Sequence, residues 1–282
     1  MRSFSPSVEV ERAQPWLGTR VVIRAAAANA DAAHAAVSAA FVRVAQLHDR
    51  LSFHQPESEL SLLNRCAWRE PLAVHTDTRN VLELALKIAA ASDGVFDPTI
   101  AGVLVATGHL PAPVDCPTPD PRSDWRDVHI DAEGRVIFRK PLWLDFGGCA
   151  KGFAVDAAVD VLRSAGATQG CVDAGGDLRV FGERAEWVAL RDFAPRDGRS
   201  AAVQLTDAAL AASNSAADAG YSGAQVDALA RRPFAVSRAV CVVAPGCAVA
   251  DALTKVVMAD APAAASLLKA FGARAFVDGQ VF

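Results

Sequence analysis

Residues 143–162 read "WLDFGGCAKGFAVDAAVDVL". A strand-like apolar end runs into Gly147 and Gly148, then Lys151, Gly152 and a periodic helix. This combination suits phosphate chemistry. A helix beginning near Lys151 offers unpaired backbone N–H groups and the positive end of its dipole, and the lysine adds a mobile cation. The same residues suit a tight strand-to-helix turn in which glycine is chosen for positive φ. Taken alone, the stretch favours the turn. The glycine spacing fits neither GxxxxGK[ST] nor GxGxxG. "DFG" at 145–147 has no catalytic-loop or Gly-rich-lid companion, and no serine elbow or HExxH is present.

Three other stretches carry polar groups at turns. "SDGVFDPTIAG" (92–102) sets Asp97 before Pro98 and Thr99, a turn with a capping Asp. "GGDLRVFG" (175–182) is a second double-glycine turn, carrying Asp177. "SFHQPESELSLLNR" (52–65) holds His54, Glu59 and Asn64, with Ser58 or Ser61 placed to cap a short helix.

The elements that must position these groups follow from periodicity. "RVVIR" (20–24) reads as a first strand. A long helix follows from Asn29 or Asp31, with Ala33, Val37, Ala40, Phe41, Val44, Leu47 and Leu51 on one face. A second begins near a capping Asp77 and stops at Gly94. Residues 111–127 read as a Pro/Asp-rich loop, and 128–138 as a hairpin. The helix after the glycine bend turns Val155, Ala158, Val159 and Leu162 inward and stops at Gly166. Strands are expected in "GCVDAGGDLRVFG", "EWVALRDF", "AAVQL" and "AVCVVA". Helices are expected in "VADALTKVVMA" and "APAAASLLKAFG", before a terminal Asp-Gly hairpin. Strands and helices mix without strict alternation, which argues α+β in one unit.

Composition narrows the function classes. The chain has 282 residues, 52% hydrophobic, enough for a sizeable core. Its net charge of -4 and lack of a basic stripe argue against nucleic acid as a partner. No apolar run approaches the roughly 20 residues of a membrane span. The N-terminus carries charges where a signal peptide has an apolar core, so the expectation is a cytoplasmic protein. Six cysteines lie scattered without metal-ligand spacing, in keeping with a reducing compartment.

Taken together and in order, these stretches resemble the FAD:protein FMN transferase (ApbE) family. The likeness runs from about Gly18 to Met258 and rests above all on "LDFGGCAKGFAVD" followed by "DAGGDLRVFG". "SDGVFDPTIAG", "ALAAS" (209–213) and "VADALTK" add to it. The resemblance implies a single domain over 1–282, with a mixed β-sheet core, flanking helices and a two-lobed, T-fold-like form around a nucleotide cleft. It implies transfer of FMN from FAD to a Ser or Thr hydroxyl of an acceptor flavoprotein, with AMP released and magnesium required. Two alternatives stay open: hydrolysis of FAD to FMN and AMP, and flavin binding without transfer.

The resemblance also assigns residues. The Ala150 carbonyl and Asp251 would hold the metal, with Thr254 reaching the same site from the same helix face. Val95, Phe96, Asp97, Gly147, Phe153 and Val226 would contact FAD, and His54 could stack on flavin or adenine. Lys151 would meet a phosphate or cap the turn, and Ser213 would meet a phosphate, meet the flavin or cap a turn. Asp251 and Lys255 also suit an ordinary i,i+4 ion pair. Two departures stand out. Family members commonly carry Thr where this chain has Lys255. A stretch like H-[IV]-x-D-P-R-T-G corresponds here to "GAQVDALARRPFAV" (223–236), with Gln225 in place of His and a helix-friendly sequence after it. Glutamine cannot take a proton at neutral pH.

Overall fold

The structure, a computed structural model, describes residues 7–190, 201–214, 225–234, 238–277 and 280–282. Two strands precede the first helix where the sequence reading expects one. β1 (Val8–Trp16) and β2 (Thr19–Ala27) form a hairpin whose two-residue turn, Leu17–Gly18, has φ of 56° and 71°. Positive φ at both central residues gives a turn whose twist matches the strands. β1 is half-exposed and charged, and Glu9 pairs with Arg24 across the hairpin. Such an edge strand lacks the apolar signal that marks a buried one.

α1 (Ala30–Leu51) starts at Asn29, whose side chain accepts the Ala32 N–H, and buries the seven apolar residues expected of it. α2 (Glu59–Cys66) is capped by Ser58, which accepts the Ser61 N–H at 3.0 Å. α3 (Thr76–Ala91) is capped by the His75 imidazole, not by Asp77 as expected. The Asp77 carboxylate instead binds Arg43 and Arg50 of α1, a tertiary use that local sequence does not reveal. Gly94 ends the run with φ of 83° and donates to Ala89 O at 2.8 Å. α4 (Ala101–Ala106) leads through the long loop to the hairpin β3 (Val128–Ile130) and β4 (Val136–Phe138).

α5 (Ala150–Ser164) follows the glycine bend. The remaining elements are β5 (Gln169–Ala174), β6 (Leu178–Phe181), β7 (Glu186–Leu190), β8 (Ala201–Leu205), β9 (Ala209–Asn214), β10 (Val226–Asp227), β11 (Arg232–Pro233), β12 (Ala239–Ala244), α6 (Cys247–Ala259), α7 (Ala265–Ala270), β13 (Arg274–Val277) and β14 (Gln280–Val281). Residues 191–193, the end of one expected strand, and the terminal Asp278-Gly279 turn lie outside the described residues.

Eight strands form one sheet in the order β1-β2-β5-β6-β9-β12-β13-β14, and every described pairing is antiparallel. The α+β class holds, but the strand directions alternate rather than mix. α1, α5 and α6 cover one face, where Val21, Ile23, Phe41, Val159 and Val172 meet. The β7–β8 hairpin packs over Leu178, Val180, Leu210, Cys241 and Val243, which alternate to the other face. α2, α3 and the β3–β4 hairpin pack beyond α6 around Leu63, Ile88, Phe138 and Leu253. All six cysteines are free thiols. No helix among the described residues is long and apolar enough to cross a membrane.

Candidate functional site

A cavity of about 790 Å³ lies where the end of α1, the 95–110 segment, the glycine bend and residues 225–228 meet. The bend is held from two sides. Asn64 of α2 donates to Leu144 O at 3.0 Å and accepts the Leu144 N–H at 2.8 Å. Asp145 N–H donates to Pro98 O at 2.8 Å, tying the bend to the segment that carries Val95, Phe96 and Asp97. Asn64 is fully buried, so both backbone groups of Leu144 are satisfied without water.

Close approach, not backbone handedness, requires the glycines here. None of Gly147, Gly148 and Gly152 has positive φ. A Cβ on Gly148 would lie 2.9 Å from the Phe96 ring, and one on Gly147 would lie 2.8 Å from an Asp145 carboxylate oxygen. A Cβ on Gly152 would meet the Cys247 carbonyl oxygen at 2.3 Å, because α5 crosses the start of α6 there. The start of α5 is also less open than expected. Ala150 N–H donates to Phe146 O at 2.7 Å, and Gly152 N–H donates to Asp251 at 3.3 Å. Two of the N–H groups that the sequence offers to a phosphate are thus used internally.

Four charged side chains gather behind the bend. Lys151 lines the cavity and its Nζ binds Asp177 of the β5–β6 turn. Burial opposes the Lys151 ammonium, but the carboxylates of Asp177 and Asp251 outweigh it and raise its pKa. Burial, helped by the charge of Asp251, raises the carboxyl of Asp177. Asp177 Oδ1 has no hydrogen-bond partner among the described residues. Lys255 also lines the cavity and binds Asp251 Oδ1. The i,i+4 pair considered from the sequence therefore exists, with Asp251 at 0% exposure.

The structure brings His54, Val95, Phe96, Asp97, Gly147, Ala150, Lys151 and Val226 to the cavity wall. Asp97 is braced rather than open: it accepts from Thr99 N at 2.8 Å and from Arg231 at 3.3 Å, and burial raises its pKa. Phe153 is not brought to this cavity. It faces a separate hollow of about 580 Å³ with Arg43, Asp156 and Asp160, because it stands two residues along α5 from the cavity-lining Lys151 and so on the opposite side of the helix. Asp251 and Thr254 are buried and do not line the cavity.

The metal set expected from the resemblance does not fit these side chains as they stand. Magnesium takes six oxygens in near-ideal octahedral geometry. One Asp251 oxygen faces Lys255 and the other accepts the Gly152 N–H. Thr254 Oγ1 donates to Asp251 O at 2.6 Å and meets Ser213 Oγ at 2.8 Å. Among the described residues no group of three or more His, Cys, Asp or Glu is arranged to hold a metal.

Gln225 lines the cavity beside Val226. The residues after it form a hairpin, not a helix. β10 pairs with β11, and Asp227 accepts the Ala230 N–H at 2.9 Å inside the turn. Arg231, with φ of 52°, reaches from this turn to Ser123 O at 2.7 Å as well as to Asp97. The sequence reading missed Arg231 and Asp156. Asp156 of α5 accepts the Cys247 and Ala248 N–H groups, each at 2.9 Å, and so caps α6 from a neighbouring helix. Its partners lie 91 and 92 residues away, beyond any local capping signal.

The ApbE family model matches residues 17–277. The FAD:protein FMN transferase of Vibrio cholerae serotype O1 is 29% identical over 154 residues, 52% of this chain and 46% of that protein. That of Treponema pallidum is 31% identical over 212 residues, 65% of this chain and 58% of that protein. The matched part of the chain thus spans about half the length of these curated relatives. The ApbE protein of Thermotoga maritima superposes with a TM-score of 0.83 at 23% identity, covering 98% of this chain and 96% of that one. The flavin transferase ApbE of Vibrio cholerae gives 0.81 at 23%, covering 96% and 94%. With the family match running almost from end to end of the chain, the fold and the sequence agree: the chain belongs to the ApbE family.

Proposed function

We propose that this chain transfers FMN from FAD to a Ser or Thr hydroxyl of an acceptor flavoprotein and releases AMP. One observation carries the reading. A cavity walled by Val95, Phe96, Leu104 and Leu110 on one side meets the Lys151 and Lys255 ammonium groups at the glycine bend on another. An apolar wall suits a flavin or adenine ring, and two cations suit the diphosphate between them.

In the transfer, the acceptor hydroxyl oxygen forms a bond to the FMN phosphorus. The bond from that phosphorus to the bridging oxygen breaks, and AMP leaves with the oxygen. The hydroxyl proton must go to a base or to solvent. Asp145 lines the cavity with a carboxyl whose pKa burial raises, which suits it to hold that proton; Gln225 cannot. Lys151 and Lys255 lower the cost of charge on the phosphoryl oxygens, and the bend fixes the approach; such positioning and electrostatics dominate phosphoryl transfer. Magnesium is not carried into this reading, since the donors expected to hold it are engaged elsewhere.

Incubation with FAD and an acceptor bearing a Ser or Thr site, followed by mass spectrometry, tests the proposal. An FMN-phosphoester adduct with equimolar AMP is expected. AMP without acceptor would assign hydrolysis instead. Bound FAD with no AMP would assign flavin binding alone.

A further inference from the structure

We propose that the Lys255 ammonium is the resident cation of this site. It takes the place beside Asp251 that the family resemblance gives to a divalent ion, so the chain handles a dinucleotide's diphosphate without a metal. The diphosphate part rests on the flavin reading above; the cation part does not.

Three observations carry it. First, Lys255 Nζ sits among oxygens of the kinds a hard cation uses: the Asp251 carboxylate, the Asp251 carbonyl at 3.1 Å and the Ser213 hydroxyl at 3.3 Å. An ammonium has three N–H donors, one for each. The two longer bonds are the ones that a phosphate oxygen arriving in the cavity can exchange with. Second, the seat is reached through the lysine. Lys255 lines the cavity while Asp251 and Thr254 lie buried behind it. A divalent ion at Asp251 would lie against a like charge. Third, the two buried carboxylates are already paired. Asp177 binds Lys151 and Asp251 binds Lys255, which leaves Asp97 and Asp145 as the carboxyls among the described residues that line the cavity itself, and burial opposes the charged form of each. The same helix spacing that lets a side chain at this position share a metal with Asp251 lets a lysine reach the carboxylate itself.

The test uses the full chain and two probes. Manganese alone, titrated by electron paramagnetic resonance, reads the cation seat without flavin. FAD binding, followed by fluorescence in EDTA and again with magnesium, reads the diphosphate. Wild-type protein is expected to bind no manganese below millimolar concentration. Its FAD affinity is expected to agree within about twofold in the two media, well under the tenfold of a single lost charge contact. Lys255→Thr frees Asp251 and returns a hydroxyl to the helix face. That variant is expected to bind manganese, to lose about tenfold in FAD affinity in EDTA, and to regain it with magnesium. Stoichiometric micromolar manganese binding by the wild type would overturn the proposal, as would an FAD affinity that collapses in EDTA. If Lys255→Thr does not fold, the two wild-type arms still decide. If the wild type binds no FAD in either medium, the flavin reading fails and the manganese arm alone judges the lysine.

Discussion

Replacing Gly152 by Ala adds one carbon where α5 crosses the start of α6. That carbon would stand 2.3 Å from the Cys247 carbonyl oxygen, 2.5 Å from its carbon and 2.7 Å from Ala248 Cα. All three are backbone atoms, so no side chain can rotate away. Reaching the 3.4 Å edge of ordinary contact requires 3.4 − 2.3 = 1.1 Å of separation between the helices. Forcing an extra methyl into such a contact costs about 1–3 kcal/mol. The same movement stretches the two 2.9 Å bonds by which Asp156 caps α6, a loss of about 1 kcal/mol. Against this, Ala in place of Gly inside a helix gains about 1 kcal/mol. The net is destabilisation by about 1–3 kcal/mol, or a Tm lower by roughly 2–5 °C for a chain of this size. Circular dichroism melting measures it. A Tm equal to or above wild type would mean that helix propensity decides the outcome, and the reasoning from close approach would be wrong. Gly148→Ala is the control: the atoms nearest its Cβ belong to side chains, the Phe96 ring at 2.9 Å and Lys255 Cε at 3.8 Å, not to backbone, so the melt should move less.

Asn64→Ala removes both bonds to Leu144 and leaves two buried backbone groups unpaired; a loss of about 2–4 kcal/mol is expected in urea unfolding, together with weaker FAD binding. Asp156→Ala uncaps α6 and frees Arg179, so it should cost about 1–2 kcal/mol by thermal melting, while Asp160→Ala on the same helix should cost little. Arg231→Ala leaves the buried Asp97 with Thr99 as its remaining partner and opens the cavity wall; fluorescence titration should show FAD affinity falling several-fold. The Arg43 hydrogen bond holds the Asp77 carboxyl below its ordinary 3.8 despite burial. A depressed folded pKa contributes stability that is present above 3.8 and lost as pH falls through the lower folded value. Asp77→Asn should therefore lower the Tm at neutral pH and flatten its decline in acid; an unchanged acid limb would refute the pairing.

The sequence by itself determined the longer helices α1, α3, α5 and α6, because their signal is local, while the short α4 carried no such signal. The apolar spacing of α1 and α5 states which residues face inward, and Asn29, Gly94 and Gly166 mark ends through backbone needs of one or two residues. It also placed most of the cavity wall, since His54, the 95–97 segment and the glycine bend belong to motifs readable in order along the chain. Only the tertiary structure decided the rest. β1 exists because β2 offers it a partner, not because its own half-exposed residues announce a strand. Phe153 turned to another hollow because a helix sorts neighbours in sequence onto different faces. The cap on α6 came from α5, and the brace on Asp97 came from Arg231, 134 residues away. The cation seat depended most on the fold. The sequence showed a lysine four residues after an aspartate, a spacing equally at home on a solvated surface. Burial of that pair beneath a cavity, where two ammonium groups balance two carboxylates, arises only when α5, α6 and the β5–β6 turn close on one another, for charge strength depends on the surrounding dielectric and not on the order of residues.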